Sequence, residues 1–528
     1  MLKQQGLSIL ILFFLVATFF TGCTWFSPMK ITINSLSVID DEGFCSLSLD
    51  FNTSHQITAF LFNPSNEQLL EEVFNPHHHT ISIPLVDYRS MPDPGTYTFQ
   101  CKNALENVVF EQTFTLTTPQ IIMQSSEFFW FNQGEDASLF SLISVSSFVY
   151  NAGSHPLYID TMKISTETVT QTSLVLPTVI QPGNSKEIHT ACYLPSFPFT
   201  EQQIQITLYD RNNQVLASEE YQETPVENIA FDYITWRSSG KYTAAFPELS
   251  WLTSYYQDQE RPILEDYTVY LTDPYDDLYL TMVKDVILST IGDSIGDEEQ
   301  SRINGLSAFV QQFQYKEDED GDELCEYPKF PLELIEDKEG DCEDKAILTA
   351  ALLDLASYNV SLIRLPKHMA VGVILEDPSG FEPYIDGYYF LEATRPNWIV
   401  GKIPDEYQDE TNITVYPVDN HPIITHSWKQ AVSYSMEKDD DYVKITVIVK
   451  NLGGSTDSNL RMHAGFIPVG SSQWLQEQQI ALDDVPPNSA QQYRFRLIIP
   501  EGYTTNLKTR IFQDSLMIDE KESSSTFY

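Results

Sequence analysis

Three residues in the middle of this chain are of the types that thiol chemistry needs. Cys342 stands in Gly340-Asp341-Cys342-Glu343-Asp344-Lys345, directly before the apolar run Ala346 to Ala356. His368 follows 26 residues later in Pro366-Lys367-His368-Met369-Ala370, and Glu392 comes 24 residues after that, in Tyr388-Tyr389-Phe390-Leu391-Glu392-Ala393-Thr394. A thiol, an imidazole and a carboxylate can serve as a nucleophile, its base and the group that orients the base.

Local pattern says which elements must hold them. Ile347, Ala350, Ala351 and Leu355 recur at helical spacing, with Leu352 and Leu353 widening the stripe, so a buried helix is expected after Cys342. Asp341 suits the N-cap, and Glu343 and Asp344 are acids of a first helical turn. Cys342 thus falls at a helix N-terminus, where unpaired N–H groups and the dipole favour thiolate. The three neighbouring carboxylates act against it. Ser361 to Leu375 and Tyr388 to Thr394 read as strands, which puts the histidine and the acid on consecutive strands. Asp386 competes for the acidic role, because residues six apart share a face of an unbroken strand. Gly387 argues for a turn there, with Asp386 leading into it, and leaves Glu392 as the preferred acid.

The order and surroundings of these residues resemble the transglutaminase-like superfamily, whose core carries a Cys-His-Asp triad on a papain-like fold. The resemblance runs from about Pro328 to Pro404. It rests on Tyr327-Pro328-Lys329-Phe330-Pro331, Gly340-Asp341-Cys342-Glu343-Asp344, His368-Met369-Ala370-Val371-Gly372-Val373 and Trp398 to Pro404. Prokaryotic surface members with a GDCED-type cysteine motif are the ones it resembles in particular. It implies Cys342 as nucleophile, His368 as base and Glu392 as orienting acid, with glutamate where the family usually has aspartate. The implied reaction is acyl transfer or hydrolysis on peptide or protein amides through a Cys342 thioester. His368 would take the thiol proton, and the backbone N–H of Cys342 would meet the oxyanion. An amine acceptor gives cross-linking; water gives proteolysis or deamidation. No cofactor and no metal is implied. The alternative is a catalytically inactive adhesion or scaffold lipoprotein that keeps a papain-like domain.

The N-terminus supplies an address. Lys3 precedes an apolar run from Leu7 to Phe20, and Phe20-Thr21-Gly22-Cys23 resembles the lipobox of prokaryotic lipoproteins. That pattern implies a signal peptide over residues 1–22, a lipid on Cys23 and a chain held outside the cytoplasm at the cell membrane. The charge balance agrees. With 30 basic and 75 acidic residues the formal charge is −45, which repels nucleic acid and anionic membrane surfaces. The expected partners are therefore a protein or peptide substrate at the cell surface and the membrane through its lipid, with no nucleic acid. Hydrophobic residues at 42% mark globular material, not a disordered acidic tail.

Beyond the core, the pattern predicts an α+β catalytic domain over 226–418 flanked by immunoglobulin-like β-sandwiches over 23–119, 120–225 and 419–528. In the first, Leu47, Leu49, Phe51, Tyr97 and Phe99 alternate with polar residues. Cys45 and Cys101 share their parity and are expected to form a disulfide in an oxidising compartment. His77-His78-His79 reads as a solvated loop and not a metal site. Cys192 reads as a buried thiol, and Cys325 has no evident partner. In the catalytic domain Tyr233 to Trp236 and Tyr267 to Asp273 read as lead-in strands, and Asp276 to Ile291 and Glu298 to Phe313 as helices. The acidic run Lys316 to Glu323 fails the EF-hand register, since Gly321 at the sixth place puts Lys316 at the first. It is expected to be a solvated loop.

Overall fold

The structure is a computed structural model that describes residues 29–132, 139–259, 261, 264–292, 299–318, 327–376, 380–419, 421–434, 441–514 and 516–528. Cys23, Cys325 and most of the acidic run Lys316 to Glu323 lie outside the described residues. The chain is β-rich and multidomain, with 51% of it in strands and 14% in helices. Among the described residues no helix is long and apolar enough to cross a membrane.

Alternation of apolar and polar residues builds three two-sheet sandwiches. In the first, strands Ile31–Asp41, Phe44–Thr53 and His77–Pro84 form one antiparallel sheet. Strands Ile57–Phe62, Gln68–Phe74, Gly95–Lys102 and Val108–Leu116 form the other. Leu47, Leu49, Phe51, Leu61, Tyr97 and Phe99 fill the space between them. The second sandwich sets Leu139–Asn151, between Ile121–Phe131 and Ser185–Pro198, against a four-stranded sheet that includes Gln202–Tyr209. The last sets Tyr442–Asn451, between Ile424–Tyr434 and Ser489–Ile498, against a sheet that includes Leu460–Pro468 and Thr505–Gln513.

Two expectations for the first sandwich fail. The Cys45–Cys101 disulfide is not formed, and both cysteines are buried free thiols. Cys45 lies near the Tyr97 end of strand Gly95–Lys102. Cys101 is four residues further along that strand, roughly 13 Å at the usual rise. A disulfide needs its Cα atoms within about 7 Å, so the stagger keeps the thiols apart. Burial pushes each thiol up to about 12, Cys45 with added repulsion from Asp40. The histidines are also not a loop. His77–Pro84 is a strand paired with Ser46–Thr53, where His78 bonds Asp50 at 2.7 Å and His79 bonds the Asn75 carbonyl.

The middle of the chain carries the helices. A hairpin of Phe231–Arg237 and Lys241–Pro247 leads into α1 (Ser250–Gln257), α2 (Thr268–Leu271), α3 (Asp277–Ile291) and α4 (Glu299–Gln311). Then follow α5 (Pro331–Asp337) and α6 (Cys342–Leu355). The expected strand Tyr267 to Asp273 is replaced by α2. Its β-branched and aromatic residues favour a strand, but Asp266 Oδ1 accepts from the Thr268 N–H at 2.9 Å and from its hydroxyl at 2.6 Å, which starts a helical turn. After α6 an antiparallel sheet runs in the order Tyr389–Leu391, His368–Val373, Val360–Leu365, Thr414–Pro417. Ile347, Ala350 and Ala351 of α6 pack in one core with Leu362, Val371 and Leu391 of that sheet.

The first and last sandwiches also meet. Lys444 pairs with Glu72 and Lys429 with Asp41, while Phe44, Ile448 and Ala490 form a small apolar contact capped by Tyr88. Residues roughly 370 positions apart in the chain thereby close it on itself.

Candidate active site

The start of α6 is fixed before the thiol is placed. The Asp341 N–H donates to Asp344 Oδ2 at 3.3 Å, and Asp344 Oδ1 accepts from the Lys329 N–H at 2.7 Å. This ties Pro328-Lys329-Phe330 to the first helical turn. Gly340 leaves the room for it: a Cβ there would come within 2.5 Å of Asp344 Oδ2. Cys342 follows as the first helical residue, half-buried, as the sequence predicts.

The thiol is held in its protonated form. Burial is the largest cause, and Glu343 and Asp341 add to it, so the Cys342 pKa lies well above its usual value. Sγ donates to Glu343 Oε2 at 3.2 Å. A hydrogen bond from the Met369 N–H acts in the opposite direction. Carboxylate oxygens of Asp318, Asp341 and Glu343 lie within 4.8 Å of one another, so negative charge gathers beside the sulfur.

The Met369 contact brings the histidine strand to the thiol. His368 is the first residue of that strand and pairs with Leu365 across a tight hairpin. Its ring bonds Glu392 Oε2 through Nε2 at 3.0 Å. Tyr407 stacks on the other side, with centroids 5.0 Å apart and planes 2° from parallel. Tyr407 and Tyr315 both lie within electrostatic reach of Cys342.

Glu392 follows strand Tyr389–Leu391 and is 2% exposed, so its charge needs compensation. The Thr394 N–H donates to Oε1 at 2.8 Å and the Thr394 hydroxyl to the same oxygen. Burial alone would raise this carboxyl; the His368 bond and charge, with Thr394, more than offset it and leave the pKa below the ordinary value. Asp386, the rival acid, is exposed at positive φ in the turn before Gly387 and makes no bond to His368 among the described residues.

Three supporting residues had no visible role in the sequence. Lys345 is fully buried one turn after Cys342, and its ammonium donates to the carbonyls of Phe313 and Thr394. Burial lowers its pKa to about 8, against the pull of Glu392. Gln311 of α4 donates to the Glu392 carbonyl at 2.8 Å and the Trp398 carbonyl at 3.1 Å. Tyr407 supplies the stacking surface. A lysine and a glutamine inside apolar helix faces were the signals available.

No family model and no curated protein matches the chain. Among solved structures it is similar to a red sea bream transglutaminase at 11% identity, over 73% of this chain and 80% of that one, with a TM-score of 0.20. An Amycolatopsis orientalis exo-chitosanase matches at 8% identity over 90% of this chain and 91% of that one, with a TM-score of 0.15. The YadV chaperone matches at 10% identity over 37% of this chain and 100% of that one, with a TM-score of 0.14. At such scores none of these likenesses fixes a fold or a chemistry.

Proposed function

We propose that this chain is a transglutaminase-like thiol enzyme that transfers or hydrolyses the acyl group of peptide and protein amides through a Cys342 thioester. The observation that carries the reading is the His368 Nε2 to Glu392 Oε2 bond of 3.0 Å beside a helix-start cysteine. With Nε2 held by the carboxylate, Nδ1 is the ring atom left for the thiol proton. Proton transfer from Sγ to Nδ1 creates the nucleophile, and attack on the amide carbonyl gives a tetrahedral oxyanion facing the Cys342 N–H. Collapse expels the amine, which takes the proton back from the imidazolium. An incoming amine or water then releases the acyl group and restores the thiol. In this reading 226–418 is a papain-like α+β domain between immunoglobulin-like modules. The Cys23 lipid holds it outside the cytoplasm, within reach of surface proteins.

A second reading has its own support. The acidic surroundings that keep Cys342 protonated suit a catalytically inactive scaffold. One experiment separates the two, using the full chain in membranes, a glutamine peptide, a primary amine and a thiol-directed acylating probe. The enzyme reading expects probe on Cys342 and either the amine adduct or the hydrolysed peptide by mass spectrometry, all abolished by Cys342→Ala. An unlabelled Cys342 with unchanged peptide supports the scaffold. The Cys23→Ser protein in the same fractionation should leave the membrane pellet; its retention with an intact N-terminus overturns the anchor.

A further inference from the structure

Where the first and last sandwiches meet they leave a cleft of about 470 Å³, the size of sites that enclose small organic ligands. Its floor is the outward face of strand Ser489–Ile498, on which Gln492, Arg494 and Arg496 alternate with the core residues Tyr493, Phe495 and Leu497. Lys444 lies opposite Arg496 in the register and Thr446 opposite Arg494. The roof comes from strands Gln68–Phe74 and His77–Pro84 of the first sandwich. In a chain with 30 basic and 75 acidic residues, four cations converge on this one space: Lys429, Lys444, Arg494 and Arg496.

Their partners show what is left over. Lys429 and Lys444 are paired with Asp41 and Glu72. Glu71, also on the wall, accepts from the Gln68 amide. Neither arginine forms a salt bridge among the described residues, although Arg494 lies close enough to Glu72 and Asp41, the partners of the two lysines, to interact with their charge. Arg494 donates only to the Ser82 carbonyl, and Arg496 lies over the Tyr442 ring at 4.2 Å. Gln492 contributes the opposite deficit: its Oε1 is buried and meets no donor among the described residues. Two guanidinium forks with no salt-bridged carboxylate of their own, next to an acceptor without a donor, define the missing group.

We propose that this cleft binds a hydroxylated carboxylate of the sugar-acid class, its carboxylate on Arg494 and Arg496 and a hydroxyl on Gln492. Nucleic acid and bare phosphate fit less well, because the space far exceeds one inorganic anion and Phe74, Ile81 and Val432 give it an apolar side. The cleft is built from the two ends of the described chain, so occupancy would also brace their contact.

The test is titration calorimetry of the full chain with glucuronate, digalacturonate, glucose and sulfate at low salt. Glucuronate or digalacturonate should bind and glucose should not, and binding should weaken with added salt. A tighter dimer assigns the source to a polysaccharide; equal affinity assigns it to a free sugar acid. Arg496→Gln, whose side chain is exposed, should weaken binding by about tenfold or more, as loss of a charge-assisted contact does. Arg494→Gln should do the same, with unaltered melting of the Arg496→Gln protein as the folding control. No uptake of either acid, glucose or sulfate binding as tightly as glucuronate, or full affinity in Arg496→Gln overturns the proposal.

Discussion

His368 is held from two directions, by the Glu392 carboxylate on Nε2 and by the Tyr407 ring on its face. A glutamate in this role works because strand Tyr389–Leu391 ends just before it, and the extra methylene lets its oxygen reach the ring. Glu392→Gln keeps the shape but removes the charge that stabilises an imidazolium. Turnover with a glutamine peptide and amine should fall roughly a hundredfold or more, by analogy with loss of the orienting acid in other triads. Asp386→Asn changes an exposed turn residue and should leave turnover within about twofold, the scale of a neutral surface substitution. The opposite ranking, in variants with matched melts, would move the role to Asp386. Cys342, His368 and Glu392 could be singled out as candidates because each sits in a local pattern that its neighbours define. Lys345 and Gln311 could not, since Gln311 earns its place only through carbonyls 81 and 87 residues away.

At the scale of elements, period-two alternation located most strands, and helical spacing located α3, α4 and α6. It failed at α2, where one aspartate side chain outweighed the strand preference of five residues. It also passed over a repeat. Leu139–Asn151 and Tyr442–Asn451 both end in Asn-x-Gly, and both asparagines are buried. Asn151 donates to the His155 and Ile180 carbonyls while its own oxygen accepts from the Gly153 N–H. Asn451 does the same with Ser455, Val485 and Gly453. One side chain thus clamps the strand end to a second connection in each sandwich. Its sequence signal is three residues long, and the partners it binds cannot be read from it. Asn451→Ala would leave two carbonyls and the N–H groups of Ile423 and Gly453 without this partner, so unfolding in urea should show a loss of about 2–4 kcal/mol. A change under about 0.5 kcal/mol would mean that water replaces the amide at no net cost.

Across the whole molecule, the contact between first and last sandwiches was invisible to sequence, because neither end carries a motif that names the other. Beside it lies a cavity of about 210 Å³ lined by Tyr88 and Arg89 of the first sandwich, Pro177 of the second, Asp273 and Tyr275 from the helical region, and Asn451 of the last. Negative charge is concentrated on the helical side. Burial raises Asp273 to about 6 and Asp277 to about 7, the latter with repulsion from Asp273 and Asp354. Asp276, 1% exposed, is raised well above its usual value for the same reasons.

These shifts fix the direction of a pH effect. A carboxyl whose folded pKa exceeds its unfolded value of about 4 binds its proton more tightly in the folded state. Its contribution to stability is complete below about pH 4 and is lost as the pH climbs through the folded values near 6 and 7. Glu392, with its lowered pKa, works the other way and loses its contribution only in acid. Asp277→Asn removes one charge from the cluster while keeping the side-chain shape at the start of α3. It should therefore stabilise the fold at pH 8 by an amount on the order of 2 kcal/mol once solvent screening is allowed for, and raise the melting temperature accordingly. At about pH 3.5, where the carboxyl holds its proton in the folded and the unfolded protein alike, the two proteins should melt together. Equal melting at both pH values would show that Asp277 ionises freely, and a gain confined to about pH 3.5 would reverse the sign of the argument.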